Sequence, residues 1–160
     1  MISITNNLKY TNTNLIQKIA LKNFKNHISG NNYPGRGIVI GRSEDDKWIF
    51  IYWIMGRSSN SRNRIFTFEQ GILQTKFAKP SSIKNSTYIL YNAMRDLDDK
   101  IIISNGSQTD NIYEGLKKGY SFYSLVKNEK HESDKPNYTP RICGVFEKSD
   151  SNILFATISK

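Results

Sequence analysis

Between residues 56 and 64 the chain reads Gly-Arg-Ser-Ser-Asn-Ser-Arg-Asn-Arg, placing Arg57, Arg62 and Arg64 among small polar side chains directly after an apolar run. Guanidinium groups offer planar, bidentate donors to phosphate, and the serines add hydroxyl donors. The glycine spacing and Lys-Ser/Thr ending of a Walker loop are absent. A solvated basic loop is the ordinary alternative, but the adjoining apolar run favours a site. A second stretch is Ser104-Asn105-Gly106-Ser107-Gln108-Thr109-Asp110, between a predicted strand and a predicted helix. Free N–H groups at such a junction bind anions, and Gly106 would let a ligand approach the backbone. A plain Asn-Gly turn with Asp110 as helix cap explains the same residues. Tyr91-Asn92, with Met94 and Arg95, supplies a phenol that can act as an acid, although a structural tyrosine fits equally well. Glu132-Ser133-Asp134, followed by Asn137-Tyr138-Thr139-Pro140-Arg141, offers carboxylates for proton transfer and another arginine, or simply a polar surface loop.

The elements that must position these residues follow from periodicity. Leu15, Ile16, Ile19, Ala20, Phe24 and Ile28 predict a helix over 13–28, capped at Thr13 or Asn14 and stopped by Gly30. Strands are predicted at 37–41 and 47–55. The second is apolar enough to be covered on both sides. Further strands are expected at about 64–68, 72–77, 86 to about 90, 100–104, 141–147 and 152–158, the last two forming a hairpin across Lys148-Ser149-Asp150-Ser151. A short helix follows Asp110 and ends at Gly119, a second covers 121–127, and 79–82 and 128–140 read as loops. This is an α+β pattern in a single domain spanning 1–160.

Composition narrows the function classes. With 160 residues and 38% hydrophobic content the chain can bury a core, and 12% aromatic residues argue against disorder. Lys and Arg number 23 against 14 Asp and Glu, a net +9, which favours anionic partners: phosphorylated metabolites, nucleic acids or membranes. The abundance of Asn, Lys, Ile and Ser is also what a biased genome composition produces. Cys143, the only cysteine, precludes an intrachain disulfide and sits in an apolar run, where a buried inert thiol is expected. Two histidines and one cysteine give no basis for a transition-metal site. Neither a signal peptide nor an apolar run of membrane length is recognised, so a cytoplasmic protein that does not span a membrane is expected. No nucleic-acid-binding motif is recognised either, which ranks a basic nucleic-acid module last.

Taken together, five segments resemble the archaeal-type IMP cyclohydrolase family and its bacterial relatives. They are Tyr33-Pro34-Gly35-Arg36-Gly37, Tyr52 to Ser58 with Asn60 to Arg64, Tyr91-Asn92, Ser104-Asn105-Gly106-Ser107 with Thr109-Asp110, and Thr139-Pro140-Arg141-Ile142, in the family's order. The resemblance implies a four-layer α-β-β-α sandwich like that of the N-terminal-nucleophile hydrolases, but not their chemistry, since position 2 is Ile. Residues 1–32 would form an N-terminal helical extension. Family members continue for several strands beyond the Thr-Pro-Arg-Ile motif, so a shortened C-terminal layer is implied. The implied reaction closes the purine ring of 5-formamidoimidazole-4-carboxamide ribotide to IMP with loss of water, without a cofactor. By resemblance Arg62, Tyr91 and Glu132 are catalytic, and Arg57, Asn92, Ser104, Asn105, Gly106, Ser107, Asp110 and Arg141 bind substrate. The implied partner is a purine nucleotide or its ribotide precursor, and a homo-oligomer is a candidate assembly. The alternatives are a purine-nucleotide-binding protein of the same fold without this activity, and the basic nucleic-acid module.

Overall fold

The computed structural model describes residues 2–5, 13–79 and 88–160. Within them a seven-stranded antiparallel sheet runs in the order β1-β9-β8-β7-β6-β5-β4. Its strands are β1 (Ile2–Thr5), β4 (Arg64–Glu69), β5 (Ile72–Phe77), β6 (Asn92–Leu97), β7 (Lys100–Ser104), β8 (Arg141–Glu147) and β9 (Asn152–Ile158). A separate antiparallel hairpin joins β2 (Arg36–Arg42) to β3 (Trp48–Ile54). The helices are α1 (Thr13–Asn23), which runs into a π-helical stretch at Phe24–Ser29, the single turn α2 (Ser59–Arg62), α3 (Gln108–Lys117) and α4 (Phe122–Val126).

Side chains alternate across a strand, so each sheet face meets a different layer. On β8, Cys143 and Val145 point to the helices and join Ile102, Ile112, Phe122, Val126, Ala156 and Ile158 in the buried core. Burial pushes the Cys143 thiol up to about 12, so the sulfur is an inert core atom. Phe146 points the other way, where the rings of Trp48 and Phe50 from β3 pack at 4.3 and 5.6 Å. The described residues thus form hairpin, sheet and helix layers, an α+β fold. None of their helices is long and apolar enough to cross a membrane.

Most predicted elements stand where the pattern puts them, with instructive exceptions. Trp48, Phe50 and Tyr52 face the large sheet, while Ile49 and Ile51 are 43% and 50% exposed on the hairpin's outer side. The expected two-sided cover is therefore one-sided among the described residues. The strand expected at 86–90 starts later, as β6 at Asn92, because residues 88–90 make a turn; residues 86 and 87 lie outside the described residues, as do 80–82 of the predicted loop. α3 begins at Gln108 with Ser107 in the capping position, so Asp110 lies inside the first turn rather than capping it. β1 escapes the pattern altogether: four residues give too short an alternation to read.

Candidate functional site

A cleft of about 640 Å³ opens where the start of β2, the α2 turn and the 128–140 loop meet. Gly56 permits this convergence. A Cβ there would stand 2.3 Å from the Ser61 carbonyl carbon, so any side chain would push the α2 turn away. Ser58 caps that turn by accepting the Ser61 N–H at 3.1 Å, and the Ser61 hydroxyl accepts the Ser58 N–H at 3.0 Å in return.

Three arginines line the cleft. Arg36, at the start of β2, donates through Nη1 to Glu132 Oε1 at 2.7 Å and to the Asn105 carbonyl at 2.8 Å. The pair is nearly dry, with side chains 13% and 8% exposed. Burial works against the Arg36 charge, but the hydrogen bond and charge of Glu132 outweigh it and raise the guanidinium above its ordinary value. Arg57, on the rim, donates to Asp134 at 3.1 Å and to the Thr139 hydroxyl at 2.9 Å. Arg64 differs. Its Nε and Nη1 donate to the Ser61 and Ile89 carbonyls at 2.6 and 3.2 Å, and no carboxylate among the described residues pairs with it. Two of the three cleft arginines are thus neutralised, and Arg64 carries the uncompensated charge.

Below the arginines two phenols meet. Tyr52 of β3 and Tyr91, the residue before β6, share a hydrogen bond of 2.8 Å between their hydroxyls. Neither ring lines the cleft surface, and Tyr91 is only 7% exposed.

Other expected site residues are distributed differently. Arg62 lines a smaller hollow of about 400 Å³ with Ile54, Met55, Ile65 and Phe66, which the Arg64 side chain shares with the main cleft. The Ser104–Ser107 loop is folded on itself. The Ser104 hydroxyl bonds to the Gly106 carbonyl at 3.1 Å and to the Thr109 hydroxyl. Asn105 Oδ1 accepts from Gln108 at 3.1 Å and from the Ile142 N–H at 2.9 Å, while its Nδ2 donates to the Pro140 carbonyl. The space beside Gly106 holds Gln108 Oε1, 2.6 Å from where a Cβ would stand, so a side chain of the protein already occupies the approach expected for a ligand. On the helix side of the sheet, Asp110 accepts from Arg95 at 2.9 Å and from Asn92 at 2.9 and 3.2 Å. Arg141 is spent on Glu129 at 3.1 Å. The structure therefore brings Arg57, Glu132 and Asn105 to the cleft, with Tyr91 beneath it, while Asn92, Asp110 and Arg141 do not line it. Arg64 belongs to the arginine-rich stretch and Arg36 to a matched segment, but sequence reasoning gives neither a role of its own in the site. The signal for Arg36 was an arginine opening an apolar strand between two glycines.

The 128–140 loop owes its shape to Asp134, whose carboxylate accepts the Thr139 N–H at 2.7 Å and the Thr139 hydroxyl. Burial disfavours its charge, but these bonds and Arg57 prevail and hold the carboxyl below the usual range. A depressed folded value means stability present in full above the unfolded value of about 3.9 and lost as the pH falls through the folded one. Asp134→Asn should therefore lower Tm by an amount that is constant near neutral pH and shrinks below about pH 4, equivalent to under about 1 kcal/mol for a partly exposed, solvent-screened group. A Tm difference that persists unchanged to pH 2 would contradict this.

Among the described residues no group of three or more His, Cys, Asp or Glu side chains gathers as metal ligands. The family described as IMP cyclohydrolase-like protein matches residues 33–160. The chain belongs to this family. It is 31% identical over 114 residues to the IMP cyclohydrolase of Methanopyrus kandleri, covering 69% of this chain and 56% of that protein. The Haloquadratum walsbyi IMP cyclohydrolase is 31% identical over 121 residues, 73% of this chain and 58% of the relative. That of Methanococcus maripaludis is 29% identical over 132 residues, covering 79% and 64%. The chain thus spans less than two thirds of the length of these curated relatives. The matched region begins at Tyr33, beside the cleft, and contains every cleft residue named above.

Proposed function

We propose that this member of the IMP cyclohydrolase-like family closes the purine ring of 5-formamidoimidazole-4-carboxamide ribotide to give IMP and water. The observation that carries the reading is the cleft's charge pattern: Arg64, a guanidinium with no carboxylate partner among the described residues, lines the same cleft as the Arg57–Asp134 pair and the buried Arg36–Glu132 pair. Ring closure needs orientation, a donor for an oxygen that turns anionic, and a group that moves protons. In this reading the carboxamide nitrogen attacks the formyl carbon, and Arg64 faces the oxygen as it gains charge. Glu132 takes the proton released from that nitrogen and passes it to the oxygen. A second proton, from the formamide nitrogen, completes the departing water as the ring C=N bond forms. Tyr91 supports the same oxygen from beneath, and Arg57 with Ser58 meets the ribotide phosphate at the rim. Arg62, aligned by resemblance with the family's active-site arginine, takes a flanking place beside Arg64. Asn105 forms part of the cleft wall, and Ser104 braces its loop from behind instead of touching the nucleotide.

The same reading carries three broader proposals. The three described layers belong to a four-layer α-β-β-α sandwich like that of the N-terminal-nucleophile hydrolases, a further layer covering the apolar outer side of the hairpin. The protein works in the cytoplasm, where soluble ribotides are made, and the exposed Ile65 and Phe68 of the edge strand β4 favour a homo-oligomer.

The test is turnover. Purified protein is mixed with the formylated ribotide and IMP formation is followed by absorbance, beside a working cyclohydrolase. A folded protein that forms no IMP refutes the proposal. Stabilisation by IMP in a thermal-shift assay, without turnover, would then identify a nucleotide-binding protein. Binding to RNA that falls steeply with salt would instead identify the basic nucleic-acid module.

A further inference from the structure

Tyr52 enters the site through one atom. Its ring packs edge-on against Phe66 with centroids 5.6 Å apart, and its hydroxyl meets that of Tyr91 at 2.8 Å. Tyr91 is fixed from the other end: its N–H donates to the Thr75 hydroxyl at 2.9 Å and its carbonyl accepts the Thr75 N–H at 3.0 Å. Both phenols are therefore held by packing and backbone before any substrate arrives. Tyr52 comes from the hairpin and Tyr91 from the residue leading into the large sheet, so their contact is one of the places where the two layers meet, near Arg36.

Two facing hydroxyls share a single hydrogen bond, and one of them must donate. We propose that Tyr52 is a positioning residue for Tyr91: it donates its hydroxyl hydrogen to the Tyr91 oxygen and so leaves the Tyr91 hydrogen for an acceptor in the cleft. Burial pushes the Tyr52 phenol far above the ordinary range, and the nearby charges of Arg36 and Arg64 offset only part of this. Tyr52 therefore keeps its hydrogen at every working pH and has it to place in the bond to Tyr91. Tyr91, with its oxygen already occupied, keeps one direction open for its own hydrogen. An incoming formyl oxygen would then meet a donor already turned to it, with no reorganisation at the moment of reaction.

This inference rests on the ring-closure reading, and its test separates the two. Tyr52→Phe keeps the ring and its contact with Phe66 and removes only the hydroxyl. The expected result is a kcat about tenfold lower with KM within about twofold, the loss of one oriented hydrogen bond. In the Tyr91→Phe background the same substitution should cost less than about twofold, because a residue that acts only through its neighbour has nothing left to act on. Losses that multiply in the double variant, or an unchanged kcat in Tyr52→Phe, overturn the proposal. If the folded parent protein shows no turnover at all, the ring-closure reading is what fails. Tyr52 is then judged by NMR of protein carrying 13C at the tyrosine Cζ. The Tyr91 resonance, assigned by its loss in Tyr91→Phe, should move in Tyr52→Phe, and a resonance that stays in place overturns the positioning role.

Discussion

Arg64→Ala is expected to lower kcat/KM by about 10²–10³, the usual loss when one donor to a developing oxyanion is removed from a water-poor site. Arg62→Ala should cost less than about tenfold. The contrast follows from partners. Arg64 spends two donors on main-chain carbonyls, which fix its plane without cancelling its charge, and it lines the cleft. Arg62 closes the α2 turn and faces the smaller hollow against Ile65 and Phe66. Lysine at position 64 should restore little, because a point charge cannot keep both carbonyl contacts and also face a ligand as the planar guanidinium does. Denaturant unfolding of each variant separates chemistry from folding: the activity loss in Arg64→Ala should exceed what its change in folded fraction explains. A larger loss in Arg62→Ala than in Arg64→Ala would return the active-site role to Arg62.

The distinction between these arginines shows what the sequence could and could not disclose. Periodicity located β2, β3, β5, β7, β8 and β9 almost to the residue, because alternation and glycine-bounded apolar runs are local properties. It could not say which of Arg57, Arg62 and Arg64 reaches a common cleft. That depends on the single turn of α2, which no apolar repeat marks, and a shift of one residue there redirects every side chain. The Ser104–Ser107 loop is ambiguous in the sequence for a related reason. Its residue types suit an anion site, but Gln108 and the neighbouring Ile142 backbone take up the same donors and acceptors. Arg141 and Asp110 are likewise absorbed by Glu129 and Arg95. Only the three-dimensional count of partners distinguishes a spent charge from an available one. Glu132 is legible in both ways: it opens the Glu132-Ser133-Asp134 stretch, and the structure brings it to the cleft, where Arg36, 96 residues away in sequence, is its one cationic partner among the described residues.

That long-range pair supports the second large effect. Arg36→Met should destabilise the fold by about 3–5 kcal/mol, since it leaves the Glu132 carboxylate buried without its cation. The Asn105 carbonyl loses its donor in the same step. Glu132→Gln should behave in the opposite way. The amide keeps the shape and can still accept from Arg36, so stability changes less, while kcat falls by about 10²–10⁴ if this group moves the proton. Combining the two substitutions should recover part of the stability lost in Arg36→Met, because a neutral amide tolerates the dry site that an unpaired carboxylate does not. The recovered fraction is read from denaturant midpoints of the parent, the two single variants and the double variant. A double variant whose loss equals the sum of the singles would mean that Arg36 acts through packing and the Asn105 carbonyl alone. Such a result would remove the ion pair from the account of how Glu132 is held in place at the cleft.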